Sequence, residues 1–240
     1  MISSIVFTFL LFITIPPYAL GCLLLRPFGR RAAFGSARAW GRLIAWLARN
    51  LCDLHYTVEG RENMPADAAI VMSKHSSAYE TIMLLLIVPW HCWVLKRELM
   101  WAPFFGWGLA ALGPIAIDRS AGRSAVEQVV EQGTKRLAEG SWVVIFPEGT
   151  RMAPGETRRY GISGTLLAQA ANRPLVPIAH NAADFWLRRG LRKKPGVVRF
   201  VIGRPVSAAG RHPREVNDEL QSWVEATVAQ LRSEQGLQRS

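Results

Sequence analysis

The chain has 240 residues, 50% of them hydrophobic, and 29 Lys plus Arg stand against 18 Asp plus Glu, a formal net charge of +11. That length and apolar content can bury a real core and predict one α/β domain, while the basic excess predicts an anionic partner: nucleic acid, phospholipid or an acidic protein. Cys22, Cys52 and Cys92 lie far apart with no CxxC pair, which excludes a disulfide framework or a zinc knuckle and fits a reducing compartment. Cys92 follows His91, but neighbours on a strand face opposite ways, so both read as ordinary packing.

Residues 2–25 contain no charged side chain and are long enough to cross or enter a bilayer, whose hydrocarbon takes about 20 residues. Met1 to Ser4 offers no Lys or Arg, so a cleaved signal peptide is not predicted. Pro16 and Pro17 interrupt the middle and leave two forms open, a kinked span or a re-entrant pair of short helices. Arg26, Arg30, Arg31, Arg38 and Arg42 follow, and by the positive-inside tendency they put this side in the cytoplasm against anionic headgroups. Residues 39–54 carry Trp40, Leu43, Ile44, Trp46, Leu47 and Leu51 around Arg42 and Arg49, which predicts a helix at the membrane interface in preference to one packed on the core. Residues 1–54 thus form a membrane-anchoring helical segment, and 55–240 the α/β domain.

From His55 onward, Val- and Ile-rich runs predict strands at 56–59, 69–73, 92–95, 115–117, 142–146, 175–179 and 197–202. Between them, 124–139 reads as a helix with a capping box at Ser124 and Glu127, an apolar face of Val126, Val129, Val130 and Leu137, and a stop at Gly140. Residues 162–172 read as another helix. Residues 213–231 form a last, amphipathic one, with Val216, Leu220, Trp223, Val224, Val228 and Leu231 on a stripe. The alternation predicts a mixed, largely parallel sheet flanked by helices.

The chemistry concentrates at strand exits, where ligands and catalytic groups of α/β sheets collect. In "VMSKHSSAYET", residues 71–81, His75 and Glu80 are too far apart to share a helix face. They meet if His75 leaves the strand and Ser76 or Ser77 caps a helix whose first turns carry Glu80. A carboxylate on one imidazole nitrogen fixes the tautomer and leaves the other free to take a proton, as in a general base. "VVIFPEGTR", residues 143–151, delivers Glu148, Thr150 and Arg151 around a Pro147–Gly149 turn. Arg151 suits a phosphate held bidentately, and Glu148 either orients it or touches a polyol hydroxyl. In "PIAIDRS", residues 114–120, Arg119 is a second candidate phosphate ligand.

These motifs resemble the glycerolipid acyltransferases, and within them the bacterial 1-acylglycerol-3-phosphate (lysophosphatidate) acyltransferases, over roughly residues 58–206. His75 with Glu80 is similar to the family's first motif, Arg119 before a long helix to its second, Phe146 to Arg151 to its third, Phe-Pro-Glu-Gly-Thr-Arg, and Val176, Pro177 and Ile178 to its fourth. The family's usual Asp is Glu80 here, one methylene longer.

The resemblance implies direct acyl transfer. His75, braced by Glu80, deprotonates the sn-2 hydroxyl of a lysolipid, which attacks a fatty acyl thioester. Arg119, Glu148, Gly149, Thr150 and Arg151 bind the acceptor. No resident cofactor is implied, because the donor, acyl-coenzyme A or acyl carrier protein, is a substrate. A G-x-S-x-G elbow is missing, since "GISGT" departs from it. A helix N-terminus near Ser76 to Ala78 would supply N–H donors for the oxyanion. The implied partners are membrane phospholipid, lysolipid and the acyl carrier, and the implied place is the inner membrane, with the catalytic domain on its cytoplasmic face.

Lys96 and Arg97 suit a basic gate. The apolar residues 99–107 read as a core helix in preference to an acyl-facing surface, and "RRGLRKK", residues 188–194, as headgroup contact or a solvated loop. Two other classes compete: the same chemistry on another acceptor, such as a lyso-aminolipid, and a non-enzymatic membrane-tethered anion-binding protein. Nucleic acid is not an expected partner, because no recognisable motif accompanies the charge.

Overall fold

The computed structural model describes residues 1–118, 121–188 and 190–237. Helix α1 (Ile2–Leu25) runs through Pro16 and Pro17 as one element, passes a 3₁₀ turn at Arg26–Phe28, and is followed by α2 (Arg30–Cys52). The two return on each other. Trp40 donates from Nε1 to Thr14 Oγ1 at 3.0 Å, and Ser36 Oγ donates to the Tyr18 carbonyl at 3.0 Å. Of the two forms left open by the prolines, a pair of short helices within 2–25 is not what forms.

Helix α1 is long and apolar enough to cross a membrane, and little of it is buried against the protein. Ile2, Ile5, Phe9, Phe12, Ile13, Leu20 and Leu24 face outward. Helix α2 has two faces. Ile44, Leu47 and Ala48 are in the core and Gly41 lets the helix approach Leu85, so the expected interfacial helix is also a core helix, while Trp46 stays 60% exposed.

Among the described residues, seven strands form one sheet in the order β1-β7-β6-β2-β5-β3-β4. They are β1 (Leu54–Glu59), β2 (Ile70–Ser73), β3 (His91–Lys96), β4 (Ile115–Ile117), β5 (Trp142–Ile145), β6 (Leu175–His180) and β7 (Gly196–Ile202). Only β6 and β7 pair antiparallel; the other neighbours are parallel. The central strands β2, β5 and β6 are buried at every position, as expected of continuous apolar runs covered on both faces. Between the strands lie α3 (Tyr79–Ile87), α4 (Phe105–Leu112), α5 (Arg123–Ala138), α6 (Ser163–Ala171), the short α7 (Ala182–Phe185) and finally α8 (Pro213–Glu234).

Three local readings change. Helix α5 begins one residue earlier than expected, with Gly122 at the N-cap, so Ser124 falls inside the first turn and the capping box does not form. Glu127 pairs instead with Arg123 at 3.3 Å. Its other end is as expected: Gly140, at φ +82°, closes a Schellman motif in which Ser141 N–H reaches the Arg136 carbonyl. Residues 99–107 are not a core helix. Leu99, Trp101, Phe104, Phe105 and Trp107 are exposed, and α4 buries only its small face, Gly106, Gly108 and Ala111, with Leu112. In the 188–194 run, Lys193 is neither solvated nor free. It is buried over the rings of Phe7 and Trp186, and Ser4 Oγ accepts its main-chain N–H.

His91 also packs as read, between Phe34 and Trp93 with Nδ1 on the Pro89 carbonyl at 2.8 Å, and burial pushes its imidazole down to about 4.

Candidate active site

Parallel pairing decides where the polar groups collect. Met72 of β2 is level with Ile145 of β5, and Ser73 with Ile178 of β6, so the chain leaves all three strands at one edge of the sheet. His75, the 146–151 turn and His180 therefore emerge side by side.

His75 Nδ1 lies 2.8 Å from Glu80 Oε1. An ionised carboxylate only accepts, so Nδ1 carries the hydrogen and Nε2 is left as the free acceptor. The extra methylene of Glu80 is accommodated because α3 starts at Tyr79, which puts Glu80 in its first turn, and the same oxygen accepts the Ser76 N–H at 3.2 Å. Ser77 assists the turn: its Oγ accepts from Tyr79 N–H at 3.1 Å and donates to the Trp186 carbonyl at 2.6 Å. Thus the Ser76 amide of the expected oxyanion region, and the Tyr79 amide just beyond it, are already engaged.

The imidazole stacks on Phe146, with centroids 4.0 Å apart and planes inclined by 20°. It is 16% exposed, whereas Glu80 is fully buried. Burial works to raise the Glu80 carboxyl, but the hydrogen bond from His75 and the nearby charges of His180, His75 and Arg151 outweigh it and hold the group below its usual range.

The turn after β5 is tied to the same backbone. Gly149 takes φ +70° and its N–H closes on the Phe146 carbonyl at 3.0 Å. Both oxygens of Glu148 are engaged within the protein: Oε1 accepts from Lys74 Nζ at 3.0 Å and Oε2 from His75 N–H at 2.8 Å. Burial pushes this carboxyl up against the pull of Lys74. Among the described residues Glu148 makes no bond to Arg151, the first of its two expected contacts. Thr150 and Arg151 are half-buried, and the Met152 N–H reaches the His75 carbonyl at 2.8 Å. Arg151 Nε is buried without a hydrogen-bond partner among the described residues. Arg119 lies outside the described residues; β4, which precedes it, is the edge strand, three positions from β2 or about 14 Å at the usual strand spacing.

Two groups were missed by reading the sequence, Lys74 and His180. Lys74 is buried beside His75. His180 donates from Nε2 to the Lys74 carbonyl at 2.8 Å and accepts the Ala182 N–H at Nδ1, and burial pushes its imidazole below the usual range. Its place at the exit of the strand beside β2 was the available signal. Two shallow clefts, of about 270 Å³ along Tyr160 and Asn217 and about 280 Å³ along Trp46 and Tyr56, are not lined by His75.

A model of the family described as acyltransferase matches residues 55–181, more than half of the chain. The chain belongs to the acyltransferase family. This acyltransferase is 43% identical over 208 residues to the 1-acyl-sn-glycerol-3-phosphate acyltransferase of Pseudomonas aeruginosa, covering 85% of the chain and 80% of that protein. It is 30% identical to the mouse 1-acyl-sn-glycerol-3-phosphate acyltransferase alpha, covering 73% of the chain and 63% of that protein. Its fold matches the crystal structure of the 1-acyl-sn-glycerophosphate (LPA) acyltransferase PlsC from Thermotoga maritima, with a TM-score of 0.80 over 96% of this chain and 95% of that one, at 22% identity. The mixed, largely parallel sheet read from the sequence is the architecture of that fold.

The lowered Glu80 carboxyl makes a prediction about stability. A group held below its unfolded value, about 4.3 for Glu, stabilises the fold above that pH and loses the contribution as the pH falls through its folded value. Glu80→Gln should cost about 1.5–3 kcal/mol at neutral pH, the range for a hydrogen bond to a charged group. Denaturation midpoints measured from pH 7 downward should converge for the two proteins on the acid side; a gap that widens toward acid contradicts the sign.

Proposed function

We propose that this acyltransferase moves a fatty acyl group from an acyl thioester to the sn-2 hydroxyl of lysophosphatidate, giving phosphatidate, with His75 as the general base. The observation that carries this reading is the 2.8 Å contact of His75 Nδ1 with buried Glu80, which leaves Nε2 to take a proton. As the hydroxyl oxygen attacks the thioester carbonyl, Nε2 takes its hydrogen. When the tetrahedral centre collapses, the C–S bond breaks and the imidazolium returns the proton to the leaving thiolate. The ring alternates between neutral and charged forms, and Glu80 stabilises the charged one without itself becoming protonated.

The activity in the printed names of the Pseudomonas and mouse relatives supports the choice of acceptor. So does Arg151, whose buried Nε seeks an acceptor and whose charge reaches Glu80. A guanidinium there holds the phosphate of the acceptor, with Arg119 as a second ligand, while Gly149 and Thr150 shape the turn that presents it. The donor is an acyl-coenzyme A or an acyl carrier protein, both anionic, and the +11 chain suits either. The acceptor arrives from the bilayer. Helix α1 supports a purchase on the membrane, and the arginines from Arg26 onward support a catalytic domain on the cytoplasmic face of the inner membrane.

With lysophosphatidate and an acyl thioester, purified His75→Ala should lose turnover by about 10²–10⁴-fold, the usual contribution of a general base, while staying folded. Unchanged turnover in that variant removes the base assignment. Arg151→Ala should chiefly raise the KM for lysophosphatidate, by roughly 10- to 150-fold from the strength of a charged hydrogen bond, and leave an uncharged lysolipid little affected. An equal loss with both acceptors contradicts the phosphate role.

A further inference from the structure

A lysine at the exit of a buried strand is an expensive group to enclose, and Lys74 is only 3% exposed. Its ammonium is nevertheless well satisfied. Nζ donates to Glu148 Oε1 at 3.0 Å, to both oxygens of Glu225 at 2.7 and 2.9 Å, and to the Glu156 carbonyl at 2.8 Å. Three elements distant in sequence converge there: the strand that delivers His75, the loop after β5, and the last helix, α8. Glu225 and all of α8 lie beyond the residues matched by the family model.

The junction is connected to the imidazole through the main chain. Glu148 gives one oxygen to Lys74 and the other to His75 N–H. The carbonyls on either side of that amide are held too, Lys74 O by His180 and His75 O by Met152 N–H, and Lys74 N–H reaches the Ile178 carbonyl. Stability alone does not account for such a junction, because well-packed apolar side chains serve a core as well as a buried ion cluster does. A cluster with fixed donor and acceptor directions instead sets where the 146–151 turn and the backbone of residue 75 stand relative to each other. The Lys74 side chain and the main chain on both sides of the 74–75 peptide are thus all held, so the backbone from which His75 leaves is anchored through Lys74.

We propose that Lys74 is a positioning residue for acyl transfer, and that through it Glu225 of α8 sets the place of the His75 ring. This rests on His75 being the base. Lys74→Met leaves buried carboxylates without their cation and is expected to fold poorly, so Glu225→Gln carries the test. It keeps the size and removes the charge of the most exposed member, whose side chain is 26% exposed. In the full chain, assayed in detergent with lysophosphatidate and acyl-coenzyme A, Glu225→Gln should lower kcat by about 10- to 100-fold, the scale set by a misplaced catalytic group, with both KM values unchanged. Val228→Ala, a core truncation on the same helix, should lower Tm and leave kcat as in the native protein. Native kcat in Glu225→Gln overturns the proposal, as does an equal kcat loss in Val228→Ala. His75→Ala separates the two readings. Turnover retained there removes the base, whereas turnover lost there with native kcat in Glu225→Gln removes only the role given to Lys74.

Discussion

One buried carboxylate shared between an imidazole and a backbone amide is the constraint on which the rest of the site depends. Enclosing the Glu80 charge is costly, and the structure compensates it locally: Oε1 takes hydrogens from His75 and Ser76, while Oε2 has no hydrogen-bond partner among the described residues. The ring has little freedom, with Phe146 against its face and Glu80 at its edge. Geometry of this kind requires a rigid support, and the parallel pairing of β2 with β5 and β6 supplies it. Loops at the end of such a sheet inherit their positions from strand register, so a shift in any of the three would separate His75 from the groups around it.

The site is also joined to the N-terminal helix. Ser77, next to the His75 segment, donates to the Trp186 carbonyl, and the Trp186 ring lies edge-on to Phe7 of α1 and beneath the Lys193 ammonium. The apolar helix and the strand exits therefore share one packed region.

Much of the sheet was legible because its central strands are buried on both faces and read as short, unbroken Val and Ile runs bounded by Pro, Gly or polar residues. The 115–117 strand coincides with its expectation, and the others differ by a residue or two at the ends. The pairing of His75 with Glu80 was legible for a different reason, since a spacing unsuited to a helix face implied a turn between them. Lys74 was not, because a lysine in a loop is ordinarily solvated and only tertiary packing brings Glu225, 151 residues away, onto it. The exposed aromatics around Trp101 were misread because apolar content alone does not say which way a short helix turns its large side chains. The Ser124 capping box failed on a one-residue displacement of the helix start, which sequence pattern does not fix.

The account stands on the tautomer of one ring. Nitrogen-15 NMR of the protein with labelled histidine, assigned by comparison with His75→Ala, should show neutral His75 with its hydrogen on Nδ1 and an unprotonated Nε2, a preference weakened in Glu80→Gln. A neutral His75 protonated predominantly on Nε2 would contradict the account, because the nitrogen facing the acceptor would then have no lone pair to receive a proton.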